Sequence, residues 1–178
     1  MLLPKPCENT NRTLGQGCVG CPLASDFQGF VPDILVTDAR VLVLAQNPGE
    51  FEEQGKRIVG YEYAGRRRVP VTEPCSPQPL IGPTGYDMVQ DFFPLAGLER
   101  GSVSLANVLK CRQIVAGKRT NDLPTGKTLG LAVAHCTAAH LRIPASTQLI
   151  VAMGALAAEW TGCPGSVHLW RGFTYARR

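Results

Sequence analysis

Val41-Leu42-Val43-Leu44, running through Ala45-Gln46 into Asn47-Pro48-Gly49, is the stretch whose reading decides the fold. A short unbroken apolar run closed by a turn signal marks a strand buried on both faces. Such strands belong to parallel sheets with helices packed on each side. Two further runs read the same way, Val103-Ser104-Leu105-Ala106 and Leu149-Ile150-Val151-Ala152. After Gly85, the residues Met88, Val89, Phe92, Phe93 and Leu95 give a helical apolar face that ends near Pro94 and Gly97. Leu129 to Leu141 predicts a helix between the second and third strands, and Ala155 to Trp160 a short one after the third. Strands alternating with helices predict a three-layer α/β/α sandwich with a mainly parallel central sheet. Ligands in such sheets sit beyond the carboxyl ends of the strands, where both Asn47 and Asn107 fall.

The flanking stretches are less regular. Residues up to Asp38 form a Gly-, Pro- and Asn-rich collar that needs something other than a large core to hold it. Residues 51–80 are polar, rich in arginine and proline, and without a clean period, which predicts a long functional or inserted loop. With 178 residues the chain suits a single domain spanning 1–178. Its 44% hydrophobic and 18% charged residues exclude a disordered chain. The net charge of +4 permits a polyanionic partner without requiring one. The Met1-Leu2-Leu3-Pro4-Lys5-Pro6 start lacks the apolar core of a signal peptide, and no run has the length of a membrane span, so a soluble, cytoplasmic protein is expected.

Seven cysteines without an export signal point to metal ligation ahead of a disulfide framework. Cys18-Val19-Gly20-Cys21 is a C-x-x-C pair in an irregular segment, without the strand and helix that flank a redox pair. Cys111 follows the second strand and Cys136 falls within the next helix, whereas Cys7, Cys75 and Cys163 read equally well as buried apolar side chains. Four thiolates from three segments suit either tetrahedral zinc or a four-iron cluster, and spacing alone does not choose.

The order C-x-x-C, N-P-G-E (47–50), P-L-I-G-P-T-G (79–85), A-N-V-L-K-C-R (106–112), H-C (135–136) and M-G-A-L-A (153–157) resembles the iron–sulfur uracil-DNA glycosylases, from Cys18 to Gly172. The resemblance implies a uracil-DNA glycosylase-like sandwich and a structural 4Fe-4S cluster held by Cys18, Cys21, Cys111 and Cys136. It implies an inserted loop around 116–126, because Cys136 comes late after K-C-R. A glycosylase flips a nucleotide out of the stack, holds the base and stabilises the sugar as the base leaves. The first active-site motif then falls on Gln46-Asn47-Pro48-Gly49-Glu50, with Gln46 and Asn47 catalytic and Gly49 and Glu50 at the substrate. An asparagine at position 47 is similar to the mismatch-specific thymine/uracil enzymes, its amide oxygen positioning a water more weakly than a carboxylate base. Asn107 matches the asparagine that reads the uracil edge. Leu80 stands where the family has a stacking phenylalanine, and offers area without a π-face.

Plainer readings stand beside these, a turn-capping Asn47 before proline and a strand-end Asn107 bonded to nearby backbone. The family's His-Pro motif and DNA-wedging loop lie beyond Arg171-Gly172, where this sequence gives Phe173-Thr174-Tyr175-Ala176-Arg177-Arg178, and His168 does not match the motif's histidine. A further chain or domain completing this region is one expectation, and a fold that survives without the activity is another. Arg66-Arg67-Arg68 beside Tyr61 and Tyr63 reads as a phosphate- and base-contacting cluster or as a solvated loop. Lys118 and Arg119 are placed like the basic loop of a uracil-trapping branch, but without its histidine. Pro124-Thr125-Gly126-Lys127-Thr128 is not a phosphate-binding loop, because Asn121 occupies the position of the first glycine. Three functions compete: a DNA glycosylase for uracil or a related base, an inactive DNA-binding or assembly module on that fold, and a zinc or iron–sulfur redox protein of another class.

Overall fold

A computed structural model of the chain describes residues 18, 20–23, 29–115, 118–163 and 173–177. Along the chain come β1 (Val41–Ala45), α1 (Glu50–Gln54), β2 (Lys56–Ala64), β3 (Arg67–Pro74) and α2 (Pro83–Asp87). A π-helical turn (Met88–Phe92) leads into α3 (Phe93–Leu95), followed by β4 (Ser104–Asn107), β5 (Gln113–Val115) and β6 (Lys118–Thr120). The remaining elements are α4 (Gly126–His140), β7 (Leu149–Met153), α5 (Ala155–Trp160) and β8 (Phe173–Arg177).

The three apolar runs are the heart of the sheet. Its order is β4-β1-β7-β8, and β1 pairs in parallel with both neighbours, Leu44 standing opposite Ala106 and Ala152. Successive side chains of a strand point to opposite faces. Leu42 and Leu44 pack with α4 and α5 through Ala132, Cys136 and Leu156. Val43 packs on the other face with Met88 and Phe93 of the π-helical turn and α3. Both faces are covered, which is why Val41 to Leu44 shows no polar alternation. β8 runs antiparallel to β7, so the place beside β7 is filled by this chain's own Phe173–Arg177.

Three details correct the sequence reading. Residues 51–80 are not a long loop: β2 and β3 form an antiparallel hairpin closed by Gly65-Arg66, with Ala64 opposite Arg67. Gly65 at φ 64° takes the first place of this two-residue turn, where a tight hairpin favours glycine. Most of the hairpin is exposed on both faces, so burial imposed no period for the eye to find. The helical face after Gly85 is narrower than expected, with Phe92 46% and Leu95 86% exposed. Phe93 N–H bonds to Met88 O across the π-helical turn. Pro94 has no N–H and its ring crowds the carbonyl one turn back, which a π turn relieves. The loop expected around 116–126 starts as a second hairpin, β5 paired with β6. Among the described residues, no helix is long and apolar enough to cross a membrane.

Candidate active site

Because β1, β4 and β7 are parallel, Ala45, Asn107 and Met153 end at one edge of the sheet. A cleft of about 540 Å³ opens there, lined by residues 45–52, Leu80, 82–85, Asn121 and 153–154. Its size is that of small-ligand sites. The β1 turn supplies one wall. Gln46 Oε1 accepts the Leu156 N–H at 2.9 Å and so ties this wall to the start of α5. Gly154, at φ 91°, allows that approach, since a Cβ there would lie 2.4 Å from Gln46 Cδ. Asn47 donates through Nδ2 to Asn121 O at 3.1 Å and to Pro48 O at 3.3 Å. Its Oδ1 makes no hydrogen bond among the described residues. Glu50 is exposed at the rim and accepts from Gln54 Nε2 at 2.9 Å.

Glu52, which the sequence reading passed over, holds the two walls together. Its buried carboxylate accepts N–H groups from Gly49, from Leu80 at 2.5 Å, and from Ile81. Burial pushes this carboxyl above its usual range, against the pull of the three amides and of Arg100. Arg100 grips the same segment, donating to Leu80 O and Pro79 O at 2.6 Å each and to Gln78 Oε1 at 3.2 Å. Burial and then Arg57 lower Arg100 to about 10, against the pull of Glu52. The clamp fixes Leu80 in the left-handed region at φ 56°, a strained place for leucine. Gly85 is required beneath it, because a Cβ would come within 1.9 Å of Leu80 O. Phe51 is the one aromatic side chain among the described cleft residues. The Gly49-x-x-Glu52 spacing of a helix N-terminus was the available signal for Glu52. None marked Arg100.

Asn107 closes β4 directly across from Ala45, behind the cleft wall and outside its lining. It is fully buried, and among the described residues neither Oδ1 nor Nδ2 has a hydrogen-bond partner. Such a group costs about 1–3 kcal/mol and is rare unless it has a purpose. Its backbone, by contrast, is fully engaged: N–H donates to Asp33 Oδ1 at 3.3 Å and the carbonyl accepts from Lys110 Nζ. Lys110 and Asp33 form a buried ion pair at 2.6 Å. Burial lowers the Lys110 ammonium and raises the Asp33 carboxyl, while each pulls the other back. Arg112 continues the tie, reaching Glu53 of α1 at 2.8 Å.

A protein-family model described as the uracil DNA glycosylase superfamily matches residues 32–172. The chain belongs to the uracil DNA glycosylase superfamily. No curated protein matches it. The superfamily match takes in the whole cleft, Asn107 and Lys110 but starts after Cys18 and Cys21.

The five basic residues singled out in the sequence of this superfamily member, Arg66, Arg67, Arg68, Lys118 and Arg119, lie on its two hairpins. Arg66 sits in the β2–β3 turn, and Arg67 and Arg68 open β3, all three exposed. Lys118 is exposed on β6, and Arg119 pairs with Ile114 through its backbone, its side chain lying outside the described residues. His168, Arg171 and Gly172 also lie outside them.

Of the four thiols named by the sequence, Cys136 lies in the second half of α4, Cys18 reaches His140 at the end of that helix, and Cys111 follows β4. Cys21 N–H bonds to Cys18 O at 3.1 Å, closing the C-x-x-C turn. Cys18 Sγ lies 3.3 Å from His140 Nε2, and Phe30 meets the same ring edge-on at 5.0 Å. The charges of Cys18 and Cys21 both reach Cys136, and those of Cys136 and Cys111 both reach Lys110. Sulfurs accept backbone amides, Leu23 N–H to Cys21 at 3.5 Å and Lys110 N–H to Cys136 at 3.4 Å. Burial pushes the Cys136 thiol up to about 11 and also raises Cys18. Among the described residues, no three His, Cys, Asp or Glu side chains stand close enough to hold an ion as they are. The donor set itself fits a thiolate-ligated group: sulfur only, from three segments, with amides aimed at two of the sulfurs.

Proposed function

We propose that this protein is a DNA glycosylase that flips uracil or a related base into the sheet-edge cleft and hydrolyses its N-glycosidic bond. The observation that carries the reading is Asn107, a carboxamide with neither polar atom bonded among the described residues, buried directly behind Ala45 of the cleft, so that a base meets it as that wall parts. One amide donates and accepts at once, which is what the edge of a pyrimidine base requires. The Lys110–Asp33 pair holds the backbone that carries it. Asn47 keeps its Nδ2 on two carbonyls and so leaves Oδ1 as the acceptor that orients water for the chemical step. Phe51 supplies the π-face that Leu80 lacks, and Leu80 adds apolar area. The test is alkali cleavage of a uracil-containing oligonucleotide. Base release is expected from the wild type, and a loss of roughly 10²- to 10⁴-fold in Asn47→Ala with DNA affinity nearly unchanged. Equal rates in the two proteins would remove Asn47 from the chemistry.

We further propose that Cys18, Cys21, Cys111 and Cys136 hold a 4Fe-4S cluster, which places the protein in the iron–sulfur branch. The cluster's contribution is structural: it pins the N-terminal collar to α4 and β4. About four irons per chain are expected after anaerobic purification. Cys111→Ser should lose metal and solubility together, whereas Cys75→Ser should lose neither. Stoichiometric zinc without iron would overturn the cluster.

A further inference from the structure

The β2–β3 hairpin grows directly out of the cleft. Its first strand follows α1, its second leads back to Leu80, and its root is closed by Cys75 N–H to Gly55 O at 2.7 Å and tied beside Leu80 by Ile58 N–H to Ile81 O at 2.9 Å. Strand alternation and register put Tyr61, Tyr63, Arg68 and Pro70 on one face, Tyr63 opposite Arg68. That face is pre-assembled. Tyr61 meets Tyr86 of α2 edge-on at 5.2 Å, and the Arg68 guanidinium lies 3.5 Å over the Tyr61 ring. Beside them Tyr63 is 77% exposed. Residues 56–74 carry Lys56, Arg57, Arg66, Arg67 and Arg68 against Glu62 and Glu73 alone.

We propose that this hairpin face is a stacking platform for unpaired bases next to the excised one, making single-stranded DNA the preferred substrate of the glycosylase proposed above. The inference rests on that reading for the identity of its ligand. Charge complementarity points to a nucleic-acid strand, and the aromatic face chooses which kind. Stacking on a tyrosine needs a base whose own face is free, which a single strand offers. A duplex presents phosphates and groove edges, for which the arginines alone would suffice. The anchored root keeps the platform at a fixed distance from the cleft, so bases flanking the flipped nucleotide have a surface to rest on.

The experiment is fluorescence anisotropy with a labelled mixed-sequence oligonucleotide free of uracil, single-stranded or annealed to its complement. The wild type should bind the single strand more tightly. Tyr63→Ala should weaken single-strand binding by about 10-fold and leave duplex binding unchanged, since one base–aromatic stack is lost. Tyr63→Phe should restore it. Arg67→Ala should weaken both and reduce the salt slope by about one unit. Tighter binding of the duplex, or identical single-strand affinity in wild type and Tyr63→Ala, would overturn the platform. Because the probe holds no excisable uracil, failure of base release leaves this result intact, and failure here leaves the glycosylase reading intact.

Discussion

Between Glu52 and Tyr63 the chain passes from a buried carboxylate that fastens two cleft walls to a side chain 77% exposed on a hairpin. The two regions share a root at Gly55 and Cys75 but are stabilised differently. In the cleft wall, polar groups are taken out of water and matched: Glu52 with three amides, Arg100 with Pro79, Leu80 and Gln78, Lys110 with Asp33. On the hairpin beyond Arg57 at its root, the charges stay in water, and order comes from the β ladder and the Tyr86–Tyr61–Arg68 stack. A desolvated wall suits a site where one group must face a base without competing water. A solvated arm suits attraction to phosphates, which needs charge more than shape. Asn107 is the exception behind the wall, desolvated and unmatched among the described residues.

If this contrast is right, the largest losses of stability come from the wall. Lys110→Met leaves Asp33 as an uncompensated buried charge and should cost about 3–5 kcal/mol in a urea melt. Arg100→Ala strips three acceptors of the Leu80 segment and should cost about 2 kcal/mol, with uracil release falling as well. A smaller effect concerns pH. Glu52 is raised in the folded protein, so its protonation favours folding: the contribution is present below the unfolded value and lost as pH rises through the folded one. Wild type should therefore gain stability relative to Glu52→Gln, which does not titrate, as pH falls from neutral toward the ordinary glutamate range. Asn107→Ala should cost less than about 1 kcal/mol despite full burial, because no hydrogen bond is broken. A cost above 2 kcal/mol would mean that the amide has partners after all. Tyr63→Ala should change stability by less than about 0.5 kcal/mol, as exposed hairpin positions do.

The sheet was legible because burial on both faces leaves an uninterrupted apolar run, and Val41, Val103 and Leu149 each sit within a residue of a strand start. The cleft's position followed from the same three strands. What the sequence hid were features with no period or motif. The hairpin lacks a buried face, so neither its tyrosines nor its arginines repeat against a core. Arg100 acts through three carbonyl-type acceptors some twenty residues away, a contact that only the folded chain creates. Gln46 and Asn47 were named by the resemblance of residues 46–50 to a family motif, but which atom of each is occupied depends on Leu156 and Asn121, far along the chain. The cysteine set was named by motif order, and the nearness of Cys18 and Cys21 to Cys136 of α4 is a property of the fold.

The central claim is that Asn107 stays unpaired in the free protein in order to read a base. Its most direct test is single-turnover release of the free base from matched oligonucleotides carrying uracil or thymine, quantified by chromatography for wild type and Asn107→Ala. The account predicts strong preference for uracil in the wild type and loss of about 10²-fold or more of that preference in the variant, with the fold intact by melting. An unchanged uracil-to-thymine ratio, or no base released by wild type from either strand, would contradict it.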